Sequence, residues 1–119
     1  MLLNFSFSED TVGYIIDGVM DKRAIQELKN QILEKFETHT KINLYLEDSG
    51  IERFSLNAVL IATLFPVEHH HRFDKIALVT DRKWIHALGV VDTLLVGVVI
   101  KNYTIEERLD AITWISESK

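Results

Sequence analysis

The chain has 119 residues, 47% of them hydrophobic and only one a proline, a balance that excludes disorder and predicts a single domain over 1–119. Thirteen basic residues against eighteen acidic ones give a net charge of −5 with no basic block, the wrong sign for a phosphate backbone, so no nucleic-acid partner is expected. No cysteine occurs, which removes disulfides, thiolate catalysis and cysteine-ligated metals.

Leu2, Phe5 and Phe7 open an extended segment, Ser8-Glu9-Asp10 supplies a turn, and Val12 to Ile16 reads as a second strand, giving a hairpin. Asp21 is placed to cap a helix whose apolar stripe is Ile25, Leu28, Ile32 and Phe36. Lys41 to Glu47 alternates with strand period, and Asp48-Ser49-Gly50 is expected to break it. From Ser55 to about Phe65 nearly every residue is apolar, which predicts a helix that is deeply buried or lines a pocket or interface, kinked or ended by Pro66. Lys75 to Thr80 suits a central parallel strand. Asp81 is expected to cap the next helix, with the stripe Trp84, Leu88, Val91 and Leu95, and Val98 to Ile100 is the last strand. Thr104 and Glu107 have capping-box spacing before a helix that buries Ile105, Leu109, Ile112 and Trp114 or Ile115. The order β-β-α-β-α-β-α-β-α implies an α/β fold, a mostly parallel five-stranded sheet with one antiparallel strand and helices packed on it.

Targeting signals are sparse. Met1 to Phe7 lack a basic n-region and a long apolar core, so no signal peptide is expected. The apolar stretch Trp84 to Ile100 contains His86, Asp92, Gly89 and Gly97 and falls short of the about 20 clean residues a bilayer needs. A cytoplasmic protein that does not span a membrane is the expectation.

Phosphate-binding GxxxxGK, dinucleotide GxGxxG and nucleophile GxSxG patterns are all missing from the sequence. His69-His70-His71 are adjacent rather than four apart, so they point in different directions and read as partly solvated residues near a helix end, not a metal site. His39 and His86 stand alone. Asp48, Thr80 and Lys101 each follow a predicted strand, as in a phospho-receiver, but the acidic partner would have to be Asp17, one strand–helix unit too close to Asp48. No enzyme, metal or cofactor is expected. The apolar excess of the two central helices instead suggests a pocket for an apolar ligand or a self-association face.

Two segments resemble a known family. Asp74-Lys75-Ile76-Ala77-Leu78-Val79-Thr80-Asp81-Arg82-Lys83-Trp84, with Phe73 nearby, resembles the F-x-R-I-A-V-V-G-D-K-K-W signature of stand-alone SpoIIAA-like proteins. Tyr103, Glu107 and Ala111-Ile112-Thr113-Trp114-Ile115 resemble the same family's F…E…A-x-x-W-L ending. Lys75 stands for the usual Arg, Thr80 for Gly and Tyr103 for Phe. The resemblance implies the STAS fold, similar in architecture to CRAL-TRIO lipid-binding domains, and a non-enzymatic protein that binds or carries small lipophilic molecules. The ligand-binding residues expected are Leu56, Val59, Leu60, Leu64, Trp84 and Leu88, in a homodimer. The alternative is a regulatory module with a protein partner, because Asp48-Ser49-Gly50-Ile51 resembles the D-S-S-G-L segment at a helix start in anti-sigma factor antagonists, whose phosphorylated serine corresponds to Ser49.

Overall fold

The computed structural model describes residues 2–87 and 97–117. Strands β1 (Leu2–Ser8) and β2 (Thr11–Met20) form the antiparallel hairpin, with Phe5 opposite Gly13. Gly13 is there for space: a Cβ at that position would stand 2.6 Å from Phe5 Cζ, and the Phe5 ring in turn meets Tyr45 edge-on at 5.7 Å.

Helix α1 (Lys22–Phe36) starts where Asp21 accepts a 3.0 Å bond from the Ala24 N–H, and it buries Ile25, Leu28, Ile32 and Phe36, the four residues its spacing selects. Strand β3 (Ile42–Phe54) runs well past Glu47, and this corrects the sequence expectation. Asp48-Ser49-Gly50 does not end the strand, because β2 continues beside it and pairs with it parallel, from Ile16 opposite Asp48 to Met20 opposite Phe54. The register shifts around Gly18 absorb the extra residues as a bulge.

Helix α2 (Leu56–Glu68) is capped by Ser55, whose hydroxyl accepts from the Ala58 N–H at 3.0 Å. Pro66 does not stop it; the proline falls in the last turn, where it deletes a single backbone bond. A 3₁₀ turn at His70–Arg72 leads into β4 (Phe73–Val79), parallel to β3, followed by α3 (Lys83–Ala87), β5 (Val99–Tyr103), parallel to β4, and α4 (Arg108–Ser116). The strand order in the sheet is β1-β2-β3-β4-β5. The mixed α/β architecture is therefore the expected one. Leu88, Val91 and Leu95 lie outside the described residues.

One face of the sheet carries α1 and α2 over Val12, Tyr14, Leu44, Ile76 and Phe73, where Phe36, Phe65 and Phe73 meet ring to ring. The opposite face carries α4, whose Ala111 and Ile115 are buried against Tyr45, Ala77 and Val79. The capping box of Thr104 and Glu107 is present, but it opens a 3₁₀ turn at Ile105–Glu107 before the α-helix begins. That tighter turn changes the rotation per residue, so Leu109, expected inside, is 73% exposed. Asp81, which precedes α3, accepts through its carboxylate from the Ile105 N–H at 3.0 Å and ties β4's end to the start of that turn. Among the described residues no helix is long and apolar enough to cross a membrane.

Candidate functional site

Strand β4 ends at Val79, level with Glu47, while β2 and β3 run on together to Met20 and Phe54, and where β4 stops β3 presents two consecutive acids. Neighbours on a strand face opposite ways, so each meets a different set of groups. Glu47 lies on the α4 side with Tyr45, two residues earlier: the Tyr45 hydroxyl donates to Glu47 at 2.6 Å, and Arg108 of α4 closes an ion pair with the other carboxylate oxygen. Burial first, and then the neighbouring carboxylate, push the Tyr45 hydroxyl's pKa up; Glu47 itself is only 2% exposed.

Asp48 faces the other way and is a hub. One oxygen accepts from the backbone N–H groups of Ile51 at 2.9 Å and Gly50 at 3.2 Å. The second accepts from the Thr80 hydroxyl at 2.8 Å and Arg82 Nε at 2.6 Å. Arg82 also donates to the Ile51 carbonyl and lies over the Phe54 ring at 5.1 Å. Burial opposes ionisation of Asp48, but the Ile51 N–H, Arg82 and Thr80 outweigh it and hold the carboxyl below its ordinary range. Gly50 completes the turn at φ +93°, a conformation that disfavours any side chain. The result is a braced turn at the strand edge from which Ser49 projects exposed.

Ser49 therefore sits in a strand bend and not at a helix start; α2 begins seven residues later, under its own cap Ser55. Asp48 and Thr80 meet even though the strand–helix count speaks against a phospho-receiver, whereas Lys101 is elsewhere, 4.9 Å from the Trp114 ring.

Next to the hub, between the sheet, α2 and α3, is an apolar cavity of about 190 Å³. Val59, Ala62, Thr63, Leu46, Leu78 and Trp84 are among its walls. Of the expected ligand-binding residues, the structure brings Val59 and Trp84 to this cavity. Leu56, Leu60 and Leu64 occupy the outer side of α2 and are 75%, 51% and 52% exposed, and Leu88 lies outside the described residues. The reason is geometric: residues four apart share one helix face, and the buried Ala58 and Phe65 commit the opposite face to the sheet.

The adjacent histidines have different surroundings, though the His70 and His71 rings meet edge-on at 5.7 Å. His69 lies against Phe65 at 4.7 Å and Phe36 at 5.7 Å, and burial there lowers its pKa; His70 reaches the Val67 carbonyl; His71 is exposed. Among the described residues no group of three or more His, Asp or Glu side chains is placed to hold a metal ion. Arg82 and Arg108 are the site residues that sequence reasoning missed. Arg82 was legible only as part of a family signature, and Arg108 is 61 positions from Glu47.

A five-stranded sheet with one antiparallel edge strand, two helices on one face and a final helix on the other defines the SpoIIAA-like α/β fold, and solved structures share it. One is an uncharacterised protein with a SpoIIAA-like fold from Shewanella loihica PV-4, at a TM-score of 0.71 and 13% identity, covering 97% of this chain and 92% of that one. The anti-sigma factor antagonist SpoIIAA in its unphosphorylated form matches at a TM-score of 0.61 and 13% identity over 98% and 100% of the two chains. The Bacillus cell fate determinant SpoIIAA in the phosphorylated form matches at 0.60 and 14% over 94% and 99%. The SpoIIAA-like family model covers residues 11–116, so the chain belongs to the SpoIIAA-like family. No curated protein matches it in sequence.

Proposed function

We propose that this chain is a non-enzymatic regulatory module that docks a protein partner at the strand-edge turn, with phosphorylation of Ser49 as the switch. The observation that carries the reading is the exposed Ser49 on a turn that Asp48, Thr80 and Arg82 brace. A fixed, outward hydroxyl is accessible to a kinase, and the rigid turn costs little ordering entropy when a partner binds. The likeness to SpoIIAA structures in unphosphorylated and phosphorylated forms supports the same reading. Because Ser49 is not at a helix N-terminus, a phosphate there gains no dipole stabilisation from α2. It adds about −1.5 to −2 charge next to Asp48, whose carboxylate already engages the Arg82 guanidinium, so it acts by repulsion and by the cost of desolvating it in an interface. Ser49→Asp should abolish capture of partners that wild type and Ser49→Ala both retain, read by quantitative pull-down from the native host. Identical partner sets for all three proteins would overturn the switch.

The cavity favours a second reading, the binding of a small apolar guest. Its lining is almost wholly carbon, and an apolar pocket of this size, open on one side, suits a small hydrocarbon group. Native mass spectrometry with short fatty acids should detect a one-to-one complex that Val59→Trp, which fills the space, eliminates. Equal signal from both proteins would place the guest elsewhere.

A further inference from the structure

The outer face of α2 is unlike the rest of the surface. Leu56, Leu60 and Leu64 recur every four residues and so form one straight row, each at least half exposed. No charged side chain occurs from Ser55 to Val67. In a chain with eighteen acidic residues and a net charge of −5, this is a neutral apolar strip on the order of 20 Å long. Within α2 itself the first turn has no acidic residue and the last turn no basic one, and Glu68 ends the helix, at the terminus where a negative charge is least favoured, although His70 reaches the Val67 carbonyl just beyond it.

We infer that this face is a self-association surface, and that its occupant is α2 of a second copy lying antiparallel across a twofold axis near Leu60. The argument is complementarity. In that arrangement Leu60 meets Leu60, Leu56 of each copy meets Leu64 of the other, and the two helix dipoles oppose. Glu68 of each copy comes to the N-terminal end of the other α2, where its charge is favoured. A parallel pair would instead bring the two Glu68 side chains together. Two copies of a net-negative chain can approach here because the strip itself carries no charge. Three leucines expose on the order of 300 Å² of carbon, below the about 800 Å² per partner of a standard stable interface, so the dimer is a weak, concentration-dependent one.

The inference is independent of the Ser49 switch, which concerns the far edge of β3. Sedimentation velocity should show monomer at about 1 μM and dimer at about 100 μM, a span set by a micromolar dissociation constant. Leu60→Asp puts two carboxylates face to face on the axis and should weaken the dimer more than about a hundredfold, with an unchanged circular dichroism spectrum because the site is exposed. Glu68→Lys provides the sharper readout. It suits α2's own C-terminus, so the melting temperature should hold or rise, while the dimer weakens about fivefold. A chain that stays monomeric at all concentrations overturns the proposal, as does a dimer that Leu60→Asp leaves intact. A monomer whose Ser49→Asp variant still loses its partner would sink this inference alone and leave the regulatory reading standing.

Discussion

Arg108→Ala should lower the stability of the fold by about 3 kcal/mol at neutral pH, even though Arg108 itself is about half exposed. The cost does not come from the arginine, which water can solvate. It comes from Glu47, 3% exposed at its side chain, which loses its counter-charge and keeps only the Tyr45 hydroxyl as a donor. Glu47→Gln should cost less, since a neutral amide in the same place leaves no buried charge to compensate. The double variant should therefore be more stable than Arg108→Ala alone, a sign reversal that an additive pair of surface substitutions would not give. In a protein of this size the single change should move the thermal midpoint by roughly 10 to 15 °C in differential scanning calorimetry. A shift under about 3 °C would mean that Glu47 finds other solvation.

Asp48→Asn should cost about 2 kcal/mol at pH 7 and change the shape of the pH–stability curve. The amide keeps an acceptor for the Ile51 N–H but turns an uncharged N–H donor to Arg82, so the guanidinium loses its carboxylate partner. The wild-type carboxyl is held below its ordinary value of 3.8, against burial and by the Ile51, Arg82 and Thr80 bonds. A carboxyl depressed in the folded state contributes its stability above the unfolded value and loses it as pH falls through the folded value. Wild type should thus exceed Asp48→Asn by a constant margin above about pH 5, and the margin should shrink as pH drops below 4. Urea denaturation at a series of pH values measures it. Two parallel curves from pH 7 down to pH 2 would show that the Asp48 charge does not brace the turn. The same substitution should loosen the Ser49 loop, which amide hydrogen exchange at Gly50 and Ile51 would report.

The sequence and the structure agree where a local signal had no competitor. Helix α1 is the clearest example, since Asp21 and an apolar residue every three or four positions leave one possible orientation. The Asp21 cap and the Thr104–Glu107 box were equally legible. β3 was misread because Asp48-Ser49-Gly50 is a strong turn signal on its own, and nothing local reveals that β2 stays alongside as far as Met20. Helix α2 failed for a different reason. Being apolar on nearly every side, it has no preferred face to read, so the sequence could not say that Val59 would turn to the cavity and Leu56, Leu60 and Leu64 to solvent. Glu47 and Arg108 were both visible as residues, but their meeting depends on α4 folding back over the sheet, which no spacing encodes.

The two consecutive acids in the middle of β3, Glu47 and Asp48, also act as a lock on alignment. A strand displaced by a single position along its neighbours turns every side chain to the other side of the sheet. Here such a slip would carry Asp48 away from Thr80 and Arg82 to the surface beneath α4, and Glu47 away from Arg108 into the apolar space under α2. The misaligned pairing would part both carboxylates from their partners at once. Consecutive acids that seem redundant on paper thereby exclude the nearest wrong way of assembling the sheet.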